Sequence, residues 1–249
     1  MGTPSALIHA EESGTAGGRL VVLVHGSLDR SAGFARVARL LQPHCRVLRY
    51  DRRGYGRSWP HPGPFTVNDQ VDDLEELLAD RPAVVVGHSY GGNVALAAAV
   101  RLGARVEAAA IYETPMSWQP WWPPNTAGGA AAQSSPEDAA EAFMRRLIGD
   151  AAWEGLPGKT RAERRREGHA LQSELSLLRG SSPWSAADIT QRVICANGSR
   201  ASAHHTTGMA RISAELPRGE HVVIEGAGHN APNSHPAEFV EQLIKPLLR

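Results

Sequence analysis

The chain has 249 residues, enough for one large α/β domain or two small ones, and its 42% hydrophobic and 21% charged residues are typical of a soluble globular protein. Its 26 basic and 26 acidic residues balance, so overall charge gives no reason to expect binding to nucleic acid or to an anionic membrane surface. No apolar run approaches the ~20 residues of a membrane span, and the N-terminus lacks a signal-peptide pattern, so we expect a cytoplasmic protein. Cys45 and Cys195 lie in apolar runs and are expected to be buried free thiols.

Short apolar runs alternate with helical patterns along the chain, which predicts an α/β fold with a mostly parallel, doubly wound sheet. A helix is expected after Ser31, and another from Thr66, where Asp69 completes a capping-box pattern. Further helices are expected after Ser89, around residues 206–216 and near the C-terminus. The predicted strands, in chain order, are Leu20–Val24, Arg46–Tyr50, Ala83–Val86, Val106–Tyr112, Val193–Ala196 and His221–Ile224.

The alternation is interrupted over residues 115–185, where a Pro-rich aromatic stretch precedes amphipathic and strongly charged helical patterns. We expect this segment to be a small helical cap, inserted into a core made of residues 1–114 and 186–249. Ligands of open α/β sheets bind beyond the carboxyl ends of the strands, so such an insertion would cover the site. The cap begins with an apolar cluster of Met116, Trp118, Trp121 and Trp122. These side chains either line an apolar acyl or ring pocket or pack the insertion onto the core.

The segment GHSYG, residues 87–91, stands between a buried strand and a helix and matches the G-x-S-x-G nucleophile elbow. The pattern predicts that Ser89 is held in a strained turn, and that side chains at Gly87 or Gly91 would collide with neighbouring backbone. The N-terminus of the following helix favours negative charge that develops beside the serine. Ser89 is therefore the candidate nucleophile.

Three further motifs accompany the elbow, namely HGSL at 25–28, DRRGYGRS at 51–58 and GAGH at 226–229. From Leu20 to the C-terminus, outside the insertion, the sequence resembles the α/β-hydrolase superfamily, whose members commonly carry these four motifs in this order. The resemblance implies an oxyanion hole formed by the backbone N–H groups of Ser27 and Tyr90, with His229 as the catalytic base. Leu28 is expected to border the substrate pocket, whereas His25 and the 51–58 loop are expected to be structural supports.

The acid that orients the histidine is absent from its usual place. In most members of the superfamily it follows the seventh strand of the family, but here residues 197–204 contain no carboxylate. Glu113 directly follows the sixth strand of the family, as in a subset that includes some dehalogenases and lactone hydrolases. We expect Glu113 to accept the Nδ1–H hydrogen bond of His229.

Two alternatives to this acid stay open at the sequence level. Glu113 could instead pair with an arginine of the cap, leaving a Ser–His dyad assisted by water or by Ser199 or Ser202. Asp188 precedes a strand and lies at the wrong end of the sheet to serve. Among the other histidines, His204 and His205 are adjacent, with no third ligand at metal spacing.

A serine nucleophile forms an acyl-enzyme, so the expected reaction is hydrolysis of an apolar carboxylic ester or lactone. C–C bond hydrolysis, perhydrolysis, and a small-molecule receptor on the same scaffold with little turnover are the alternatives. No metal, nucleotide or flavin motif is present, so no cofactor is expected. We expect a monomer or homodimer that binds neither nucleic acid nor membrane.

Overall fold

The computed structural model describes residues 7–126, 129 and 135–249, and within them the strands form one seven-stranded sheet of order β1-β3-β2-β4-β5-β6-β7. The strands are β1 (Ala10–Gly14), β2 (Leu20–Val24), β3 (Arg46–Tyr50), β4 (Ala83–His88), β5 (Val106–Tyr112), β6 (Arg192–Gly198) and β7 (Gly219–Ile224). All neighbouring pairs are parallel except β1 with β3. The predicted mostly parallel α/β fold is confirmed.

The helices lie between the strands and after the last one. They are α1 (Ala35–Leu41), α2 (Val67–Leu78), α3 (Tyr90–Leu102), α4 (Pro136–Ile148), α5 (Asp150–Glu154), α6 (Gly158–Arg166), α7 (Gly168–Gly180), α8 (Ala203–Glu215), α9 (Ala231–Ser234) and α10 (Pro236–Phe239), which continues as a π-helical turn at Val240–Ile244. Short 3₁₀ turns occupy Ser31–Phe34, Gly56–Ser58, Gly103–Arg105, Ala186–Asp188 and Lys245–Leu247. Within the described ranges, no helix combines the length and the apolar character needed to cross a bilayer.

The edge strand β1 was not predicted. Its sequence, AEESG, is polar because the strand pairs on one side only, antiparallel to β3, and its residues are half-buried or exposed. By contrast, β4 is the middle strand of the sheet, and all six of its residues are buried. A valine run without polar alternation is expected where both faces of a strand are covered.

Two helix starts were predicted from local sequence signals; the one at Thr66 agrees with the structure and the one at Ser31 does not. At α2 the Thr66 hydroxyl accepts from the Asp69 N–H and the Asp69 carboxylate accepts from the Thr66 N–H, so the predicted capping box is confirmed. Ser31 instead begins a 3₁₀ turn before α1 and provides no side-chain cap. Its backbone N–H donates to Asp51, which anchors the turn to the end of β3.

The sheet separates two apolar clusters because alternate strand side chains point to opposite faces. In β2, Val22 packs with α2 and α3 on one face, whereas Val21 packs with α1 and the C-terminal helices on the other. Cys45 and Cys195 are buried free thiols in these clusters, as expected.

Helices α4 to α7 lie between β5 and β6 and form the cap. A third apolar cluster joins cap residues such as Phe143, Trp153 and Leu171 to core residues Leu28 and Tyr55. The inserted helices are therefore seated on the loops that follow β2 and β3, at the carboxyl edge of the sheet.

Candidate active site

Ser89 occupies a strained turn between β4 and α3, with φ 53° and ψ −125°. A β-carbon at Gly91 would lie 2.2 Å from the Val24 carbonyl oxygen, and one at Gly87 would lie 2.3 Å from the Gly91 carbonyl oxygen. Both positions therefore exclude any side chain, as the elbow pattern predicts. The Ser89 N–H donates to the Tyr112 carbonyl at 2.8 Å, which ties the turn to β5.

Positive φ angles in residues other than glycine mark the site. In the described parts of the chain, Leu28, Ser89 and Glu113 have φ of 50°, 53° and 47°, and Ala79 at the end of α2 is the fourth such residue. Each of the first three follows closely on the carboxyl end of a strand. Such conformations cost about 1–3 kcal/mol each and persist where surrounding contacts enforce them. The strain is thus concentrated around one point at the edge of the sheet.

Glu113 is completely buried, and both of its carboxylate oxygens have partners. Oε1 accepts the Gly198 N–H at 3.1 Å, and Oε2 lies 2.7 Å from Nδ1 of His229. Because β5 and β6 are parallel neighbours, the ends of the two strands bring Glu113 beside Gly198. Among the described residues, His229 is the only ion-pair partner of Glu113, so the expected pairing is present and a cap arginine does not replace it.

Ser89 and His229 line the same cavities without a hydrogen bond between their side chains in the described structure. In ligand-free enzymes this bond is often long and shortens when substrate binds. The backbone N–H groups of Ser27 and Tyr90 have no acceptor among the described residues, which leaves both free to donate into the site.

The loop that carries Ser27 is held by His25. Nδ1–H of His25 donates to the Gly26 carbonyl at 2.8 Å, and Nε2 accepts the Arg52 N–H at 2.8 Å, so the ring is fixed as its neutral tautomer. Burial and the nearby Arg52 cation hold the pKa of His25 well below its usual range. A β-carbon on Gly26 would lie 3.0 Å from Cβ of Ser89, so this loop and the elbow meet in close contact.

Two further histidines surround His229. Nε2–H of His88 donates to the His229 carbonyl at 2.8 Å, and burial lowers the pKa of His88 to about 3. The ring of His205 stacks on that of His229, with centroids 5.0 Å apart and planes inclined by 25°. Burial, followed by the charge of His229, lowers the pKa of His205 well below its usual range. Sequence reasoning passed over His205, since its only signal was a position near the loop after β6.

Glu113, His205 and His229 also present ligand atoms within 4.8 Å of one another, close enough to hold a metal ion. The spacing of His204 and His205 along the chain did not reveal this, because the other two groups come from different loops. Glu113 and His229 are already bonded to each other, so a metal here would have to displace the proton they share.

The other groups considered as helpers of a dyad have separate partners. The Ser199 hydroxyl donates to Glu225 at 3.0 Å, and Ser202 lies 3.2 Å from Nε2 of His204. Asp188 sits in the 3₁₀ turn before β6, at the opposite end of that strand from Glu113.

Two cavities meet at Ser89, one of about 400 Å³ and one of about 740 Å³, and both are lined by Ser27 and His229. Of the five residues expected to border the pocket, Trp122 lines the smaller cavity and Leu28 the larger. The cavity linings, as far as the chain is described, include neither Met116, Trp118 nor Trp121.

The remaining three expected pocket residues pack elsewhere. Met116 is 1% exposed inside the main core cluster, and Trp118 packs edge-on against Trp184 with centroids 5.6 Å apart. The Arg211 guanidinium lies over the Trp121 ring at 5.0 Å. Here the structure differs from the expectation, because most of the aromatic stretch packs the start of the insertion onto the core.

The cavities also hold residues that the sequence pattern did not single out. Phe143 and Leu147 of α4 line both cavities, and three arginines border the smaller one, Arg146, Arg179 and Arg200. All of them except Arg200 lie on cap helices, and their placement depends on how the cap rests on the core, which the amphipathic pattern of those helices does not specify.

The sequence profile described as the alpha/beta hydrolase family matches residues 21–242. The lipase LipV of Mycobacterium tuberculosis is 37% identical over 92 residues, which cover 36% of this chain and 34% of the lipase. Several curated relatives match over only 34–39% of their own length.

Solved structures agree over more of the chain. An esterase from Thermogutta terrifontis has a TM-score of 0.73 at 23% identity, covering 94% of this chain and 90% of its own. The enol-lactonase of Burkholderia xenovorans LB400 has a TM-score of 0.74 at 22% identity, covering 97% and 96%. At these identities the likeness shows a shared fold. Because the family profile extends from β2 to the end of the last helices, the chain belongs to the alpha/beta hydrolase family.

Proposed function

We propose that this protein is a serine hydrolase that cleaves a carboxylic ester or lactone through an acyl-enzyme on Ser89. The observation that carries the proposal is the 2.7 Å contact between Glu113 and Nδ1 of His229, beside a serine held in a strained elbow. Nucleophile, base and acid are the three roles that acyl transfer by a serine requires.

In this mechanism the Ser89 oxygen attacks the carbonyl carbon of the substrate while Nε2 of His229 takes the hydroxyl proton. Glu113 holds the imidazole with Nδ1–H toward the carboxylate and stabilises the imidazolium that forms. The negative oxygen of the tetrahedral intermediate accepts from the N–H groups of Ser27 and Tyr90, each such donor lowering the barrier by about 3 kcal/mol.

Collapse of the intermediate breaks the bond to the leaving alcohol, which takes the proton from His229. A water molecule then gives its proton to His229 and attacks the acyl carbon, and the second intermediate releases the acid and restores the Ser89 hydroxyl. In a lactone the leaving alcohol stays attached to the acyl chain, so the same steps yield one hydroxy acid.

The names of similar proteins support this reaction class. The lipase, the esterase and the enol-lactonase described above are each named for ester or lactone chemistry. Ser89 lines both cavities, which is consistent with separate spaces for the acyl and alcohol parts.

The test is hydrolysis of short- and medium-chain p-nitrophenyl esters by the wild type, Ser89→Ala and Ser199→Ala. Ser199 is a matched control because it follows a strand end but bonds to Glu225. We expect Ser89→Ala to abolish turnover and Ser199→Ala to retain it. Equal turnover in wild type and Ser89→Ala would refute Ser89 as nucleophile, and absence of turnover on every ester and lactone tried would refute the reaction class.

A further inference from the structure

The smaller cavity at Ser89 has an unusual distribution of charge. Arg146 in the last turn of α4, Arg179 in the last turn of α7 and Arg200 in the loop after β6 all line it. Its single lining carboxylate within the described residues is Glu113, which is committed to His229 and to the Gly198 N–H. The cavity therefore carries three cationic side chains and no free anion.

None of these three arginines takes part in an ion pair within the described residues, although their neighbours do. Arg145, adjacent to Arg146, pairs with Glu141 at 2.7 Å and with Asp150 at 3.1 Å. Arg165 on α6 likewise pairs with Asp138 at 2.9 Å. Arg145 and Arg165 of the cap thus have acidic partners, whereas the three arginines that line the smaller cavity have no ion pair among the described residues.

The residues that the structure does not describe contain no aspartate or glutamate. Residues 1–6 read MGTPSA, residues 127–128 read AG and residues 130–134 read AAAQS. Every Asp and Glu of the chain is therefore among the described residues, and the missing counter-charge for the cavity does not come from an acidic side chain of this protein.

Of the three arginines, Arg179 has the strongest need for a hydrogen-bond acceptor. Its side chain is half-buried, and its Nη2 atom is shielded from solvent without a hydrogen-bond partner among the residues that the structure describes. A buried donor left unpaired destabilises the protein, and a guanidinium is matched best by a carboxylate that accepts two parallel N–H bonds. Arg146 and Arg200 line the same cavity and are exposed, so their charge attracts an anion from solution.

We propose that the substrate is an ester or lactone that carries a carboxylate away from the scissile bond, bound by Arg179 with Arg146 and Arg200 at the entrance. This inference rests on the proposed hydrolase function and narrows its substrate class. If the carboxylate lies in the acyl part of an ester, hydrolysis of the acyl C–O bond releases a dicarboxylic acid and an alcohol. The proposed substrate differs from the apolar one expected from the sequence because one of its ends is charged.

The test compares two substrates of equal length, the mono-p-nitrophenyl ester of adipic acid and p-nitrophenyl hexanoate. They differ only in a terminal carboxylate against a terminal methyl group, and the adipate chain is too long for rapid self-cleavage through a small cyclic anhydride. We expect kcat/KM to be at least about tenfold higher for the adipate ester, because hydrogen bonds to a charged group are strong. The ratio of the kcat/KM values of the adipate ester and the hexanoate should fall as the salt concentration rises, because salt screens exposed charges.

The variant Arg179→Gln is expected to lower the ratio of the two kcat/KM values about tenfold, since it removes a charge-assisted pair. The ratio cancels any general effect on folding or on the serine. Arg39→Gln is the matched control, because Arg39 is an exposed arginine on α1 that lines neither cavity, and both rates should stay as in the wild type. A wild-type ratio near one, or a ratio unchanged in Arg179→Gln, overturns the inference while leaving the hydrolase function standing.

A binding measurement separates the two proposals if neither ester is cleaved. Titration calorimetry with adipate should show binding to the wild type that Arg179→Gln weakens about tenfold, as expected for loss of one charge-assisted pair. That result supports the anion site and counts against the hydrolase function. Absence of adipate binding to the wild type overturns the anion site.

Discussion

Oε2 of Glu113 and Nδ1 of His229 lie 2.7 Å apart, although 116 positions of the chain separate the two residues. The contact depends on strand order, because β5 and β6 are neighbours and Glu113 directly follows β5. The second oxygen of Glu113 accepts the Gly198 N–H, which fixes the plane of the carboxylate. The proposed acid is thus held by backbone on one side and presented to the histidine on the other.

This arrangement predicts the effect of Glu113→Gln. The carbonyl oxygen of glutamine will keep the Gly198 N–H bond, so its NH₂ group will face Nδ1 of His229. That favours the tautomer with the proton on Nε2, which is unable to accept a proton from Ser89. We expect kcat/KM to fall by about 10³–10⁴-fold with little change in thermal stability. Glu107→Gln, at the other end of β5 and exposed, is the control, and activity near wild type in Glu113→Gln would contradict the proposed acid.

Much of the fold follows from sequence patterns, and the reasons are physical. Strands buried on both faces, such as β4, have continuous apolar runs, and Thr66 with Asp69 is a capping box readable from spacing alone. The edge strand β1 was missed because an edge needs no apolar run. These signals are local, so the sequence is sufficient to read them.

The sequence was sufficient to predict the site residues that follow strand ends, but not those whose positions depend on the cap. Ser89 and Glu113 were identified as candidates because each follows a strand whose position in the sheet is fixed by the fold. Arg179 and Trp118 depend on how inserted helices rest on the core, which no repeating pattern encodes. The aromatic stretch therefore left open a pocket wall or packing onto the core; Trp118 packs against Trp184, and Arg179 lines the cavity.

The cap is fastened to the core by a buried ion pair, which gives a second prediction. Glu174 of α7 lies 2.8 Å from Nη1 of Arg52 and accepts hydroxyl hydrogen bonds from Tyr55 at 2.7 Å and Ser27 at 2.5 Å. Arg52 and Glu174 are 0% and 1% exposed. Removing one charge of a buried pair leaves the other charge buried without a partner. Glu174→Gln should therefore lower the free energy of unfolding by about 3–5 kcal/mol, measured by urea denaturation.

The control for that variant is Glu163→Gln on α6, whose ion pair with Arg30 at 3.3 Å is partly exposed. Such a pair contributes about 0–1 kcal/mol, so the two cap variants should differ clearly in stability. Equal losses in both variants would show that the buried pair contributes no more than a surface one.

The elbow supplies a third prediction. In Gly91→Ala the new β-carbon would meet backbone oxygens of Val24 and His25 at 2.2 Å and 2.7 Å, and backbone has no rotamer by which to move aside. We expect loss of ester hydrolysis together with a stability loss of about 1–3 kcal/mol, as for overpacking. Gly158→Ala is the matched control, since a β-carbon there has no neighbour within 4 Å. Wild-type activity and stability in Gly91→Ala would contradict the close contact between the elbow and the HGSL loop.

Buried neutral histidines predict how stability depends on pH. Burial lowers the pKa of His88 from its usual 6.5 to about 3, so between these pH values His88 is protonated in the unfolded chain and neutral in the folded one. The unfolded state then binds more protons, and the free energy of unfolding falls as pH decreases through this window by up to ~1.4 kcal/mol per pH unit from this residue. Above pH 6.5 His88 is neutral in both the folded and the unfolded state, so its contribution to the free energy of unfolding no longer changes with pH.

The variant His88→Gln tests this directly, because its amide still donates to the His229 carbonyl but does not titrate. Urea unfolding at several pH values from 7 down to 4.5 should give a shallower decline for the variant, by up to ~1.4 kcal/mol per pH unit. His44→Gln, which replaces a largely exposed histidine after α1, should follow the wild-type curve. Parallel curves for His88→Gln and wild type would mean that His88 binds its proton equally well in the folded and unfolded states, which would contradict a lowered pKa of His88 in the folded protein.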